Sequence, residues 1–259
     1  MPGNEKEIAK TLVLDKGKIS LNHLGLVRSV GAPGESKGQY VEMNSLKDVH
    51  RYLATEDSEK KADIYINGRG VSLKQSGATF PYNRLQRANL VEIFTLLGFK
   101  DPDSILERLD LEVKNFHRGK LERRNRPWVY FFSKKEFGAL IKFLMLEGSP
   151  NLGMSLHPAE FILEAPVNNI SAGNINIYNF DEYFSKYIDK LKVAIRRQWV
   201  GQASNSEHKR AVGLAKKPAN APWVFNDVAG TPNVHRSGVR WRKDIPQNKR
   251  KTAYFLMLE

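Results

Sequence analysis

Asp63, Ser72 and Lys74 are the residues whose types and spacing could carry chemistry. They lie in Lys61-Ala62-Asp63-Ile64-Tyr65-Ile66-Asn67-Gly68-Arg69-Gly70-Val71-Ser72-Leu73-Lys74-Gln75, two short strand-like runs around Asn-Gly, the strongest short-range signal for a β-hairpin. A two-residue turn at Asn67-Gly68 sets Asp63 opposite Ser72, and Lys74, two residues on, shares that face. Ile64, Ile66, Val71 and Leu73 then point the other way, into a core. A carboxylate beside an ammonium on a rigid hairpin suits metal-assisted phosphodiester hydrolysis. The carboxylate holds a hard divalent cation, and the ammonium stabilises charge on the phosphate or orients the attacking water. The competing reading is an ordinary exposed hairpin face with a loose ion pair. Against it, Asp is depleted in strands yet sits here mid-run. The residues that follow, among them Gln75, Asn83, Arg84 and Arg87, are also types that meet phosphates and base edges.

The elements that must hold these residues read as mixed α and β. Asn4 is placed to cap a first helix with Glu5 and Glu7 in its first turn. Gly31–Gly38 reads as a loop. A helix is predicted over Asn83–Leu97, stopped by Gly98, and a short one over Asp103–Leu111. A strand at Trp128–Phe132 leads to a helix capped by Ser133 with Glu136 in the capping-box position. A strand is predicted over Asn174–Tyr178, an amphipathic helix over Asp181–Trp199, a basic loop region over Gly201–Gly238, and a last strand over Thr252–Leu258. Phe137, Leu140, Ile141 and Leu144 recur at helical spacing and read as core. No internal repeat is present.

The chain has 259 residues and a formal net charge of +13, with 41% hydrophobic and 27% charged residues. That is a globular composition with enough length for a sizeable core. The charge is localised: residues 114–135 carry +7 and residues 196–251 carry +10, while 1–113 are neutral. Solvated surface charge is one explanation. Trp128, Trp199, Trp223 and Trp241 interleave with these blocks and favour a polyanion, nucleic acid above all. There is no cysteine, which excludes disulfide scaffolds, thiol catalysis and cysteine-held zinc. The six histidines are scattered without metal-ligand spacing, and no nucleotide-binding Gly-rich fingerprint occurs. The N-terminus lacks an apolar secretory segment, and the longest apolar run, Phe137–Leu146, is too short to span a bilayer.

Asp63 followed by Ser72-x-Lys74 resembles the PD-(D/E)xK nuclease core, in the variant where serine takes the second acidic position. The chain as a whole is similar to small type II restriction endonucleases of that superfamily. Asn4-Glu5-Lys6-Glu7-Ile8-Ala9 resembles the helix preceding the core in several of them. Arg240-Trp241-Arg242-Lys243-Asp244, followed by Lys249-Arg250-Lys251-Thr252, is reminiscent of a C-terminal element in the same group. The departures are Ala62 in place of the proline and Ser72 in place of Glu or Asp. The resemblance implies a restriction-endonuclease-like core, a mixed β-sheet flanked by helices, with a loop-rich basic C-terminal region. It implies Mg²⁺, with Mn²⁺ as a substitute, held by Asp63, the backbone carbonyl of Leu73 and a glutamate from a neighbouring helix, Glu7 or Glu92. Lys74 then assists attack, and no zinc or nucleotide cofactor is required.

The organisation expected is a catalytic core in 1–113 and a DNA-binding region in 114–259, packed together or continuous. Gln75, Asn83, Arg84, Arg87, Arg123, Arg124, Arg126, Arg236, Lys249 and Arg250 are expected to meet DNA, with Arg240, Arg242 and Lys243 reading bases. The function so implied is sequence-specific cleavage of double-stranded DNA by a cytoplasmic monomer or homodimer without membrane association. Its rivals are a basic nucleic-acid-binding protein without catalysis, and a repair or structure-selective nuclease.

Overall fold

The computed structural model describes residues 4–53, 60–76, 83–117, 120–121, 123–149, 153–199, 224–225, 240–241 and 250–258. Six α-helices are present among them: α1 Glu5–Leu14, α2 Leu46–Tyr52, α3 Arg87–Leu96, α4 Pro102–His117, α5 Lys134–Lys142 and α6 Phe180–Tyr187. Ten strands of three or more residues form two sheets. They are β1 Val30–Pro33, β2 Tyr40–Glu42, β3 Ile64–Ile66, β4 Arg69–Gln75, β5 Asn83–Gln86, β6 Asn125–Pro127, β7 Phe161–Ala165, β8 Asn176–Tyr178, β9 Leu191–Trp199 and β10 Arg250–Leu258. The first sheet runs β8-β7-β4-β3-β1-β2 and the second β5-β10-β9-β6. Among the described residues only the β7–β4 pair is parallel, so the class is mixed α+β, with helices flanking a mixed sheet.

Alternation along the central strands separates two cores. Ile64, Ile66, Val71, Leu73, Phe161, Leu163 and Ala165 point to one side, where α1 lays Ile8, Ala9, Leu12 and Val13 on them and α2 adds Val49. Ala62, Tyr65 and Ile162 point to the other side. There they join residues of α3 to α6 and the inward residues of the second sheet, Leu85, Leu191, Val193, Ile195, Tyr254 and Leu256. Each sheet takes strands from both sides of residue 113, so that boundary is not a break between sheets.

The register of the hairpin is the one its sequence predicts. Ile66 pairs with Arg69, Tyr65 with Gly70 and Ile64 with Val71. Asn67 and Gly68 both have positive φ, 51° and 78°, as a type I′ turn requires. The Asn67 side chain also accepts from the N–H groups of Arg28 and Ser29 and donates to the Leu24 and Leu26 carbonyls. The turn is therefore welded to the segment leading into β1. Gly70 admits the Pro158 backbone so closely that a Cβ there would lie 2.5 Å from the Pro158 carbonyl oxygen. That approach seats the 157–160 segment and delivers β7 beside β4.

Several sequence expectations need correction. Asn4 does not cap α1; its side-chain amide donates to the Ala165 and Pro166 carbonyls at the end of β7. β1 and β2 occupy part of the expected Gly31–Gly38 loop region and its margin. Asn83–Gln86 is a strand and the helix begins only at Arg87, because these residues pair with β10. Trp128–Tyr130 is a 3₁₀ turn, with the strand just before it in β6. The helix begun at Asp181 stops at Tyr187, and Leu191–Trp199 is a nine-residue strand laid along β10. Leu191, Val193 and Ile195 alternate into the core, and that period of two outweighs the helical reading. Of the Gly201–Gly238 region, only Val224–Phe225 lies within the described residues; it pairs with Arg240–Trp241.

Candidate active site

The hairpin brings Asp63, Ser72 and Leu73 into direct contact. The Asp63 N–H donates to the Val71 carbonyl, so Asp63 shares Val71 with Ile64 and the strand bulges at its start. The expected Asp63–Ser72 pairing is thus made by side chains. One carboxylate oxygen of Asp63, Oδ2, accepts from the Leu73 N–H at 2.6 Å and from Ser72 Oγ at 3.2 Å. The carboxylate takes the place of the next ladder partner and is held without a flexible stem. Ser72 is buried at 1% exposure. Lys74 is half-buried, two residues further along the same side of β4.

Two charged neighbours were not legible in the sequence. Glu164 lies opposite Lys74 in the parallel β7–β4 register, and parallel partners share a face. It is 3% exposed, which is costly for a carboxylate unless it is paired. Lys186 Nζ and Tyr187 Oη donate to it, both at 2.6 Å, and Lys186 also donates to Tyr178 Oη at 2.9 Å. Burial works against the Lys186 charge, but hydrogen bonds to Glu164, Tyr178 and Tyr187 outweigh it and raise its pKa. Burial first, then Glu164, pushes the Tyr183 hydroxyl far above its usual range. The second neighbour, Lys61, is half-buried just before β3 and donates to the Leu144 carbonyl at 2.8 Å. Its pKa is pushed down to about 8 by burial and by Lys74, against the pull of Asp63.

Neither glutamate expected to complete a metal site joins this face. Glu7 is exposed and pairs with Lys10 at 2.7 Å, on the helix that covers the opposite side of the sheet. Glu92 is exposed on α3, whose Leu90, Ile93 and Phe94 face inward. Among the described residues, no three His, Cys, Asp or Glu side chains gather as a metal cluster. The donors that do fit a hard cation are the second oxygen of Asp63, Oδ1, and the Leu73 carbonyl. Oδ1 accepts no hydrogen bond among the described residues, and the carbonyl leaves the strand on the edge that Asp63 meets. That set suits an ion that keeps several waters, as Mg²⁺ does.

The expected DNA contacts divide. Gln75 is half-buried at the end of β4, opposite Ala165. Arg87 is a structural residue: it grips both carboxylate oxygens of Asp110 at 2.7–2.9 Å, and Asp110 also accepts from Tyr254 Oη. Arg126 is bound to Glu112 and lies over the Tyr130 ring, and Arg124 lies over Phe116. Arg123 is exposed. Asn83 and Arg84 lie in β5, Arg250 in β10, and Arg240 in a two-residue strand; their side chains are outside the described residues. So are Arg236, Arg242, Lys243 and Lys249 altogether. No helix among the described residues is long and apolar enough to cross a membrane. Comparison with protein-family models, with curated proteins and with solved structures gives no match.

Proposed function

We propose that the chain is a Mg²⁺-dependent, sequence-specific endonuclease of restriction type acting on double-stranded DNA, with Asp63 and Lys74 at its centre on a restriction-endonuclease-like core. The observation that carries this reading is the hairpin itself. A carboxylate is locked on a backbone N–H with one oxygen to spare, and an ammonium stands two residues further along the same strand side as its serine partner. Asp63 Oδ1 and the Leu73 carbonyl would hold the metal. The chemistry a Mg²⁺ ion would supply there is neutralisation of phosphate charge and a lowered pKa of a bound water. Lys74 donates to a non-bridging phosphate oxygen as charge develops in the transition state. Ser72 fixes Asp63 rather than meeting the metal, since its hydroxyl is buried and aimed at the carboxylate. The net charge of +13 supplies the attraction for the polyanion.

The test is digestion of plasmid DNA by the purified chain with and without Mg²⁺. Discrete fragments that appear only with the metal support the reading. A smear points to a nuclease without sequence preference, and intact plasmid across metals, pH and protein concentration overturns it in favour of a binding protein.

A further inference from the structure

We propose that Val129 and Tyr130 form a wedge that enters a base step of the bound duplex, with the Tyr130 ring stacked on a base; this rests on the nuclease reading above. The two residues are the tip of the 3₁₀ turn Trp128–Tyr130 and are 57% and 51% exposed. Single exposed apolar residues are ordinary, but these are adjacent and the turn beneath them is fixed. Trp128 stacks on Phe137 with ring centroids 4.7 Å apart and donates from Nε1 to the Ile188 carbonyl at 3.1 Å. Phe131 and Phe132 are buried, and both give their N–H groups to the Trp128 carbonyl. The Phe131 carbonyl in turn accepts from Arg108 at 2.7 Å. Burial of the neighbours on either side therefore holds the tip outward. Ile188 directly follows Tyr187, which donates to Glu164 opposite Lys74, so the turn is tied to the wall of the candidate active site.

The surroundings of the tip decide what it meets. The Arg126 guanidinium lies over the Tyr130 ring, 5.1 Å from its centroid, and Glu112 pins it there. It backs one face of the ring, and the exposed half of Tyr130 is left for a partner. Lys134 and Lys135 are exposed at the start of α5, and Arg123 is exposed shortly before β6. A helix macrodipole disfavours cations in the first turn, so the helix gains nothing from these lysines, whereas a polyanion does. An apolar tip ringed by cations matches a base step, which offers a π face between phosphates. Apolar side chains that enter such a step partly unstack it and kink the duplex. Tyr130, already set by Arg126, gives up little freedom in doing so.

The experiment uses the full chain in EDTA, where no metal supports cleavage. Closed-circular plasmid saturated with wild type and relaxed by a metal-independent topoisomerase should emerge with a changed linking number, because insertion unwinds the duplex. Tyr130→Ala should lose that change and bind plasmid-derived duplex fragments about five- to hundredfold more weakly, with an unchanged salt slope. Tyr130→Phe keeps the ring and should keep both properties. Val129→Asp sets a like charge against phosphate and should lose both, so the outcome does not hang on one variant. Wild type without the linking change, or wild-type behaviour in both Tyr130→Ala and Val129→Asp, overturns the wedge and leaves the nuclease reading standing if Mg²⁺ still yields fragments. Altered sedimentation of these variants at wild-type DNA affinity overturns it in favour of a protein contact. Absence of DNA affinity in wild type removes both readings.

Discussion

Asp63 does two jobs that substitution can separate. Its Oδ2 accepts from Leu73 and Ser72 and so closes the hairpin, while the proposed chemistry uses Oδ1 and the negative charge. Asp63→Asn keeps an acceptor for the Leu73 N–H but removes the charge. It is expected to fold, to bind DNA and to lose cleavage by at least about a hundredfold, the order found when one electrostatic group is removed from such a site. Lys74→Ala should do the same. Plasmid digestion alongside binding in EDTA checks both, and wild-type cutting in both variants removes the site assignment. Ser72→Ala should be milder, because the Leu73 N–H alone still holds the carboxylate. Lys61 gives a separate expectation on stability. Its ordinary pKa of 10.5 falls to about 8 in the fold, so between those values the unfolded chain binds more protons and stability rises with pH. Below pH 8 the full cost of the buried charge is present. Urea unfolding should therefore show wild type gaining on Lys61→Met as pH goes from 7 to 10, and a constant gap between them would contradict the burial of Lys61.

At the scale of elements, what the sequence revealed was what neighbours in sequence decide. Asn67-Gly68 fixes a type I′ turn, the turn fixes the register, and the register brings Asp63 to Ser72, all within a dozen residues. Ser133 and Glu136 likewise close the capping box of α5 as their spacing predicts. What stayed hidden depends on strands far apart in the chain. Leu191–Trp199 and Asn83–Gln86 become strands because both lie against β10, and nothing local to either segment announces that partner. Glu164 was missed for the same reason: its place beside Lys74 needs the parallel β7–β4 pairing across ninety residues of chain. The available signal was a lone acid inside the apolar run Phe161-Ile162-Leu163-Glu164-Ala165. Glu164 ties α6 to the sheet through Lys186 and Tyr187. Glu164→Gln should therefore lower unfolding free energy by about 1–3 kcal/mol, since the Lys186 ammonium loses its counter-charge. A urea midpoint unchanged from wild type would show that the hub is not structural. Asn67→Ala should cost about 2–4 kcal/mol by the same measurement, because it removes four side-chain hydrogen bonds and leaves a non-glycine residue at positive φ.

For the whole molecule the question is which cations of a +13 chain are available to a polyanion. The block at 114–135 counts +7 in sequence, yet Arg126 is neutralised by Glu112 and Arg124 is stacked on Phe116. Arg87, outside either block, is spent on Asp110. Formal charge therefore overstates what this side of the fold offers to phosphate. The block at 196–251 holds +10, with three acids against thirteen bases, too few to neutralise it from within. Self-repulsion on that scale costs stability, and under the proposed function phosphate neutralisation would offset it: each contacted phosphate would release counterion and steepen log affinity against log salt by roughly 0.9. The two sets of arginines should therefore behave oppositely. Arg87→Ala and Arg126→Ala should lower the urea midpoint and leave the salt slope of DNA binding unchanged. Arg240→Ala and Arg242→Ala should leave the midpoint in place. If they touch phosphate, each flattens the slope by about one unit for all sequences alike. If they read bases, each loses about 1–3 kcal/mol of discrimination for the cognate site, with little change in nonspecific binding. Titrations of the four variants from low to high salt separate these outcomes. Wild-type slope and wild-type discrimination in both Arg240→Ala and Arg242→Ala would place the DNA-gripping surface elsewhere on the molecule.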